Sequence, residues 1–142
     1  VDAPLPKLPL YLSANGIVPL LRPTIDAIAP VADPARIDSY ATDAGRLHAR
    51  VAMGAVGEFE LFDGATLTTS NPGSWTLRST DGSELANGVV WEILGGSPQS
   101  FELGGVPLTE VSDFDAVDRG WYSDENITYV LVPPGEHELV VR

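Results

Sequence analysis

The sequence predicts an all-β fold, an antiparallel β-sandwich of about seven to nine short strands, and three observations predict it. Fourteen glycines and twelve prolines fall among 142 residues, at intervals too short for a helix to propagate. Between them lie short runs that alternate apolar and polar residues, as a half-buried strand requires. Turn pairs separate one run from the next: Asn15-Gly16, Asp63-Gly64, Asp81-Gly82, Asn87-Gly88, Gly95-Gly96 and Gly104-Gly105.

In chain order, the first element is the apolar stretch LPLYLSANGIVPLL, which Pro9, Asn15, Gly16 and Pro19 interrupt. It falls short of the roughly 18 apolar residues that a membrane span needs. TIDAIA, from Thr24 to Ala29 after Pro23, is the one place for a helical turn, and VADPARIDSY, from Val31 to Tyr40, reads as a loop. Residues 1–40 are therefore expected to form a strand pair and loop, and residues 41–142 the main sandwich, the two being compatible with one continuous domain. In RLHARVAM, Leu47, Ala49, Val51 and Met53 share one face while His48 and Arg50 share the other. In GEFELF, Phe59 and Leu61 oppose Glu58 and Glu60. Further strands are predicted around Trp75 and Leu77, from Val89, around Phe101, from Ile127 and from His137.

A chain of this length buries roughly 68–70% of the surface that its unfolded form exposes, so it folds without staples. There is no cysteine, which removes disulfides, thiolate metal sites and thiol nucleophiles. Twenty acidic residues against eight basic ones give a net charge of −12, which repels nucleic acid and anionic lipid alike. Neither nucleic acid nor a membrane is an expected partner. VDAPLPKLP has no basic start followed by an apolar run, so it does not read as a signal peptide. Lacking an initiator Met, the sequence reads as a piece of a longer chain or a processed product.

No catalytic site is expected. His48 and His137 are the only imidazoles, each at a polar-facing or edge position, and neither lies near Ser39 or Ser123 in sequence. A carboxylate pair for glycoside cleavage needs a deep cleft that would consume much of so small a chain. The densest acidic stretch, SDFDAVDRGWYSDEN, offers Asp113, Asp115 and Asp118 as donors for a loose cation site, calcium being the ion such oxygens prefer. Its spacing departs from the helix–loop–helix calcium pattern. The alternative is a long solvated loop anchored by Trp121 and Tyr122, and no other cofactor is expected. Trp75 and Trp91 lie in alternating strands and are expected in the core. Trp121, with Tyr122 beside it, is the candidate exposed platform for carbohydrate.

Within APLPKLPLYLSANGIVPLLRPT, the residues Ala3, Pro4, Leu5, Leu8, Pro9, Leu10, Tyr11, Leu12, Ala14, Gly16, Ile17, Pro19 and Leu20 follow a recognisable order. Further on, Gly57, Phe59, Leu61, Phe62, Asp63 and Gly64 form a second motif. Together these resemble the region that follows the catalytic barrel in glycoside hydrolase family 31, which includes α-glucosidases and α-xylosidases. Asn15 stands where the family runs from Ala directly to Gly, Asp63-Gly64 shortens the family's acidic turn, and the match spans residues 3–64. In that family the catalytic aspartates lie in the barrel, so the resemblance implies a non-catalytic C-terminal β-sandwich whose partner is the upstream barrel of the same polypeptide. It also implies an extracellular or periplasmic location, and an apolar surface around Leu10, Leu12, Ile17 and Leu20 for the barrel to cover. Two readings of another class stand beside it: an independent carbohydrate-binding module, or an interaction sandwich of a secreted protein.

Overall fold

The computed structural model describes residues 12–142 and is a two-layered β-sandwich, as predicted. The chain enters as β1 (Ile17–Leu20), which pairs antiparallel with β2 (Leu47–Ala52). It then crosses to the second layer for β3 (Gly57–Glu60), β4 (Thr66–Ser70) and β5 (Trp75–Ser79), an antiparallel meander. A 3-10 turn at Ser83–Leu85 leads back to the first layer as β6 (Val89–Leu94). There follow β7 (Phe101–Leu103) and β8 (Val106–Pro107) in the second layer, β9 (Gly120–Asp124) and β10 (Ile127–Val132) in the first, and β11 (His137–Val141) in the second.

The two sheets therefore run β1-β2-β6-β10-β9 and β3-β4-β5-β11-β7-β8. Eleven strands appear among the described residues where about seven to nine were expected, because β4, the two-residue β8 and β9 are too polar or too short to stand out as alternating apolar runs. Not every pairing is antiparallel. β2 and β6 run parallel, which the intervening meander permits, since it supplies the long crossover that parallel neighbours need.

The inner faces carry the alternating apolar residues. Ala49, Val51, Trp91, Ile93, Val130 and Val132 from the first sheet meet Leu67, Trp75, Leu77, Phe101, Leu139 and Val141 from the second. The placement of Trp75 and Trp91 in the core is borne out, at 5% and 1% exposure. Met53 leaves the alternation, exposed in the turn after β2 and beside Gly96. Ile17 is buried in the same core, and Leu10 lies outside the described residues. Leu12 and Leu20 are half-buried, and Leu20 lines an apolar groove together with Leu21, Ile28 and Phe62, the last 87% exposed.

TIDAIA forms no helical turn. Pro23 and Pro30 bracket it, and its backbone bonds run sideways: Asp26 N and Ala27 N donate to Asp38 O, and Tyr40 N to Ala27 O. Among the described residues there is no helix long and apolar enough to cross a membrane.

Candidate functional site

Consecutive residues of a strand point to opposite faces, so β9 divides the predicted aromatic platform in two. Trp121 turns inward onto Phe101, with ring centroids 5.1 Å apart, and Tyr122 turns outward. The two residues do not form one surface. Both lie in a strand, not in the long loop expected of them, and Trp121 is half-buried where an exposed platform was expected.

On the outer face, the strand register aligns Val18, Arg50, Glu92, Tyr129 and Tyr122 in one row across all five strands. Glu92 is the centre of that row and only 3% exposed. Its Oε1 lies 2.7 Å from His48 Nδ1, while Oε2 accepts from Arg50 Nε at 2.7 Å. Burial pushes the Glu92 carboxyl up, but the His48 and Arg50 hydrogen bonds outweigh it and hold the group below its ordinary value. Tyr129 and Tyr122 stack at 4.9 Å, and burial raises both phenols. A carboxylate kept ionised in this way is a poor general acid. Ser123 lies on the other face, its hydroxyl 2.9 Å from Thr128 Oγ1, so it does not complete a triad with His48 and Glu92.

The acidic stretch before β9 folds back over this outer face as a cover. Phe114 packs on Tyr122 with ring centroids 4.9 Å apart, and Arg46 donates to the carbonyls of Phe114 (3.1 Å) and Val117 (3.3 Å). Asp113 accepts from Ser112 Oγ and from Asp115 N, both at 3.1 Å. Asp118 pairs with Arg119 at 3.0 Å, and that hydrogen bond holds its carboxyl below the usual range. Among the described residues no three His, Asp or Glu side chains are grouped to hold a metal ion. Beside the cover a depression of about 370 Å³ runs from Arg22 and Arg46 past His48 to Tyr122.

The inner side of β9 borders a second cleft, of about 300 Å³, at the end of the sandwich. Trp121 is among its lining residues. The segment Thr109–Val111 flanks β9 there: Trp121 N donates to Thr109 O, Val111 N donates to Trp121 O, and Glu110 is the bridge partner of Trp121. Gly120 makes the approach possible, since a Cβ at that position would sit 3.1 Å from a Val111 methyl. The rim comes from Ser97 and Gln99 on one side and from the β9–β10 turn, Glu125 and Asn126, on the other. Sequence reasoning missed Glu92, Glu110 and Glu125. Glu92 had a signal, a lone charge in VVWEIL with His48 and Arg50 on the polar face of another strand, but their pairing is long-range. Glu125 belongs to the densest acidic stretch but was not singled out as a donor there, and nothing local marks Glu110.

No family model matches the chain, and no curated protein matches it. Among solved structures, the fold is similar to part of protein lmo2446 of Listeria monocytogenes, solved in complex with α-D-glucose, β-D-glucose, magnesium and calcium, with a TM-score of 0.56 and 17% identity. It is equally similar to part of a cycloalternan-forming enzyme of Listeria monocytogenes in complex with a pentasaccharide substrate, again with a TM-score of 0.56 and 17% identity. Each likeness covers 68% of this chain and 10% of the other, so the chain spans about a tenth of these proteins' length.

Proposed function

We propose that the chain is a non-catalytic C-terminal β-sandwich of an α-glycosidase resembling glycoside hydrolase family 31, packing on a catalytic barrel in the same polypeptide and supporting it outside the cell. The observation that carries this reading is the fold: over 68% of the chain it is similar to about a tenth of two much longer proteins solved with sugars bound. The post-barrel motifs between Ala3 and Gly64 supply the family. The chemistry of the chain agrees, because the buried carboxylate, Glu92, is hydrogen-bonded to His48 and Arg50 and lies on the far side of the sheet from the Ser123 hydroxyl. So does the surface beside β1, where Leu21, Ile28 and Phe62 line an apolar groove of about 270 Å³. A partner domain would remove that groove from water.

The test compares two proteins on aryl α-glucosides and α-xylosides: the 142-residue chain, and the same chain joined to the polypeptide encoded immediately upstream. Turnover is expected from the longer protein alone. Turnover by the short chain that disappears when one of its own carboxylates is replaced overturns the proposal.

A further inference from the structure

We infer that the cleft beside Trp121 is a binding subsite for one neutral pyranose ring of a carbohydrate. The choice of ligand class rests on the proposed function; the site itself rests on four features of the cleft.

The first is shape. A cleft of about 300 Å³ is at the small end of ligand sites, the size that suits a single ring more than an extended chain. The second is the aromatic lining. Trp121 is the one tryptophan that is not buried, and indole offers the flat apolar surface on which the C–H face of a sugar ring stacks. The third is the polar rim. Glu110 stands beside Trp121 in register, Glu125 and Asn126 come from the adjoining turn, and neither glutamate enters an ion pair among the described residues. Ionised carboxylates accept hydrogen bonds from sugar hydroxyls and repel phosphates and acidic sugars, which narrows the guest to a neutral ring. The fourth is the backbone. Glu125 has φ 51°, and among the described residues it alone holds positive φ without being glycine. The two-residue β9–β10 hairpin turn, Glu125-Asn126, demands that conformation, and the turn fixes the glutamate at the rim of the cleft.

The inference is tested on the purified chain by acrylamide quenching of tryptophan fluorescence, with D-glucose, D-xylose and maltotriose as probes. Because Trp75 and Trp91 are buried, the quenchable signal belongs to Trp121. At least one sugar is expected to protect it, with a dissociation constant of about 1 mM or below. Glu110→Gln is expected to weaken that binding about tenfold with the melting temperature unchanged, consistent with one lost charge-assisted hydrogen bond. Glu125→Gly is expected to weaken binding while leaving the melting temperature the same or higher, because glycine relieves the positive φ. Loss of binding in that variant therefore cannot come from loss of fold. The inference is overturned if none of the sugars protects Trp121 at about 50 mM, or if tetramethylammonium protects it and no sugar does. Either result leaves the accessory-domain reading to its own test, which reads turnover by the longer protein.

Discussion

Glu92 and Arg50 face each other across the parallel pair β2 and β6, with the Arg50 guanidinium 2.6 Å from a carboxylate that water barely reaches. Removing one partner of such a pair leaves the other charge without compensation. Arg50→Ala is expected to lower stability by about 2 kcal/mol in urea unfolding, less than for a fully buried pair because the Arg50 side chain is partly solvated. Replacing Arg50 and Glu92 together with Met and Leu is expected to recover most of the loss. If the single variant unfolds at the same urea concentration as the parent, the pair has no structural weight.

The same carboxylate sets an acid limit. Its pKa lies lower in the folded chain than in the unfolded one, so its contribution is fully present above the ordinary glutamate value of 4.5 and is lost as pH falls through the lowered folded value. Stability is expected to fall with acidification below about pH 4.5, and Glu92→Gln is expected to flatten that slope. An unchanged slope in the variant would assign acid sensitivity to other groups, such as Asp38 and Asp63, which hydrogen bonds also hold low.

Two glycines with nearly the same backbone separate strain from crowding. Gly64 (φ 85°) has open space where a Cβ would go, whereas at Gly88 (φ 84°) a Cβ would lie 2.4 Å from Val132 O. Gly64→Ala is expected to cost about 1 kcal/mol, for the left-handed conformation alone. Gly88→Ala is expected to cost about 2–4 kcal/mol, because backbone at the β6–β10 junction must also move. Equal losses by chemical denaturation would contradict the contact.

Calcium is expected to shift the melting temperature by no more than a few degrees, because Asp113 already accepts two local hydrogen bonds and Asp118 is paired with Arg119. Melts with and without chelator check this. A shift beyond about 10 °C would reveal a structural ion, since a ligand at a thousand times its dissociation constant adds about 4 kcal/mol.

Where neighbours along the chain decide the structure, the sequence was legible. The alternation in RLHARV put Ala49 and Val51 on the apolar face that is buried, and the Asp63-Gly64 turn fell where the meander needs it. What alternation cannot show is what covers the polar face. It put His48 and Arg50 on the polar face but did not give them Glu92 as a partner, which lies buried in register with the stacked Tyr122 and Tyr129 on the face that a loop clamped by Arg46, just ahead of β2, folds over. Nor can it show strand identity in a charged setting. GWYSD sits between Arg119 and Glu125, so its five residues resemble loop until β10 and Thr109–Val111 pair with it from both sides. The division of Trp121 from Tyr122 follows from that pairing.

The position of β11 has a consequence for how the chain comes to be folded. Its five residues are the last strand in sequence yet lie inside the second sheet, bonded to β5 on one side and β7 on the other. Until His137–Val141 arrive, the strands β3 to β5 and the pair β7–β8 have no direct connection, and each presents a bare edge. Folding during synthesis is therefore expected to stall with two open templates for pairing with other chains, and to finish in one late step that joins them. A ribosome-stalled chain ending at Pro134 should be aggregation-prone and degraded by protease, and one extended past Arg142 resistant.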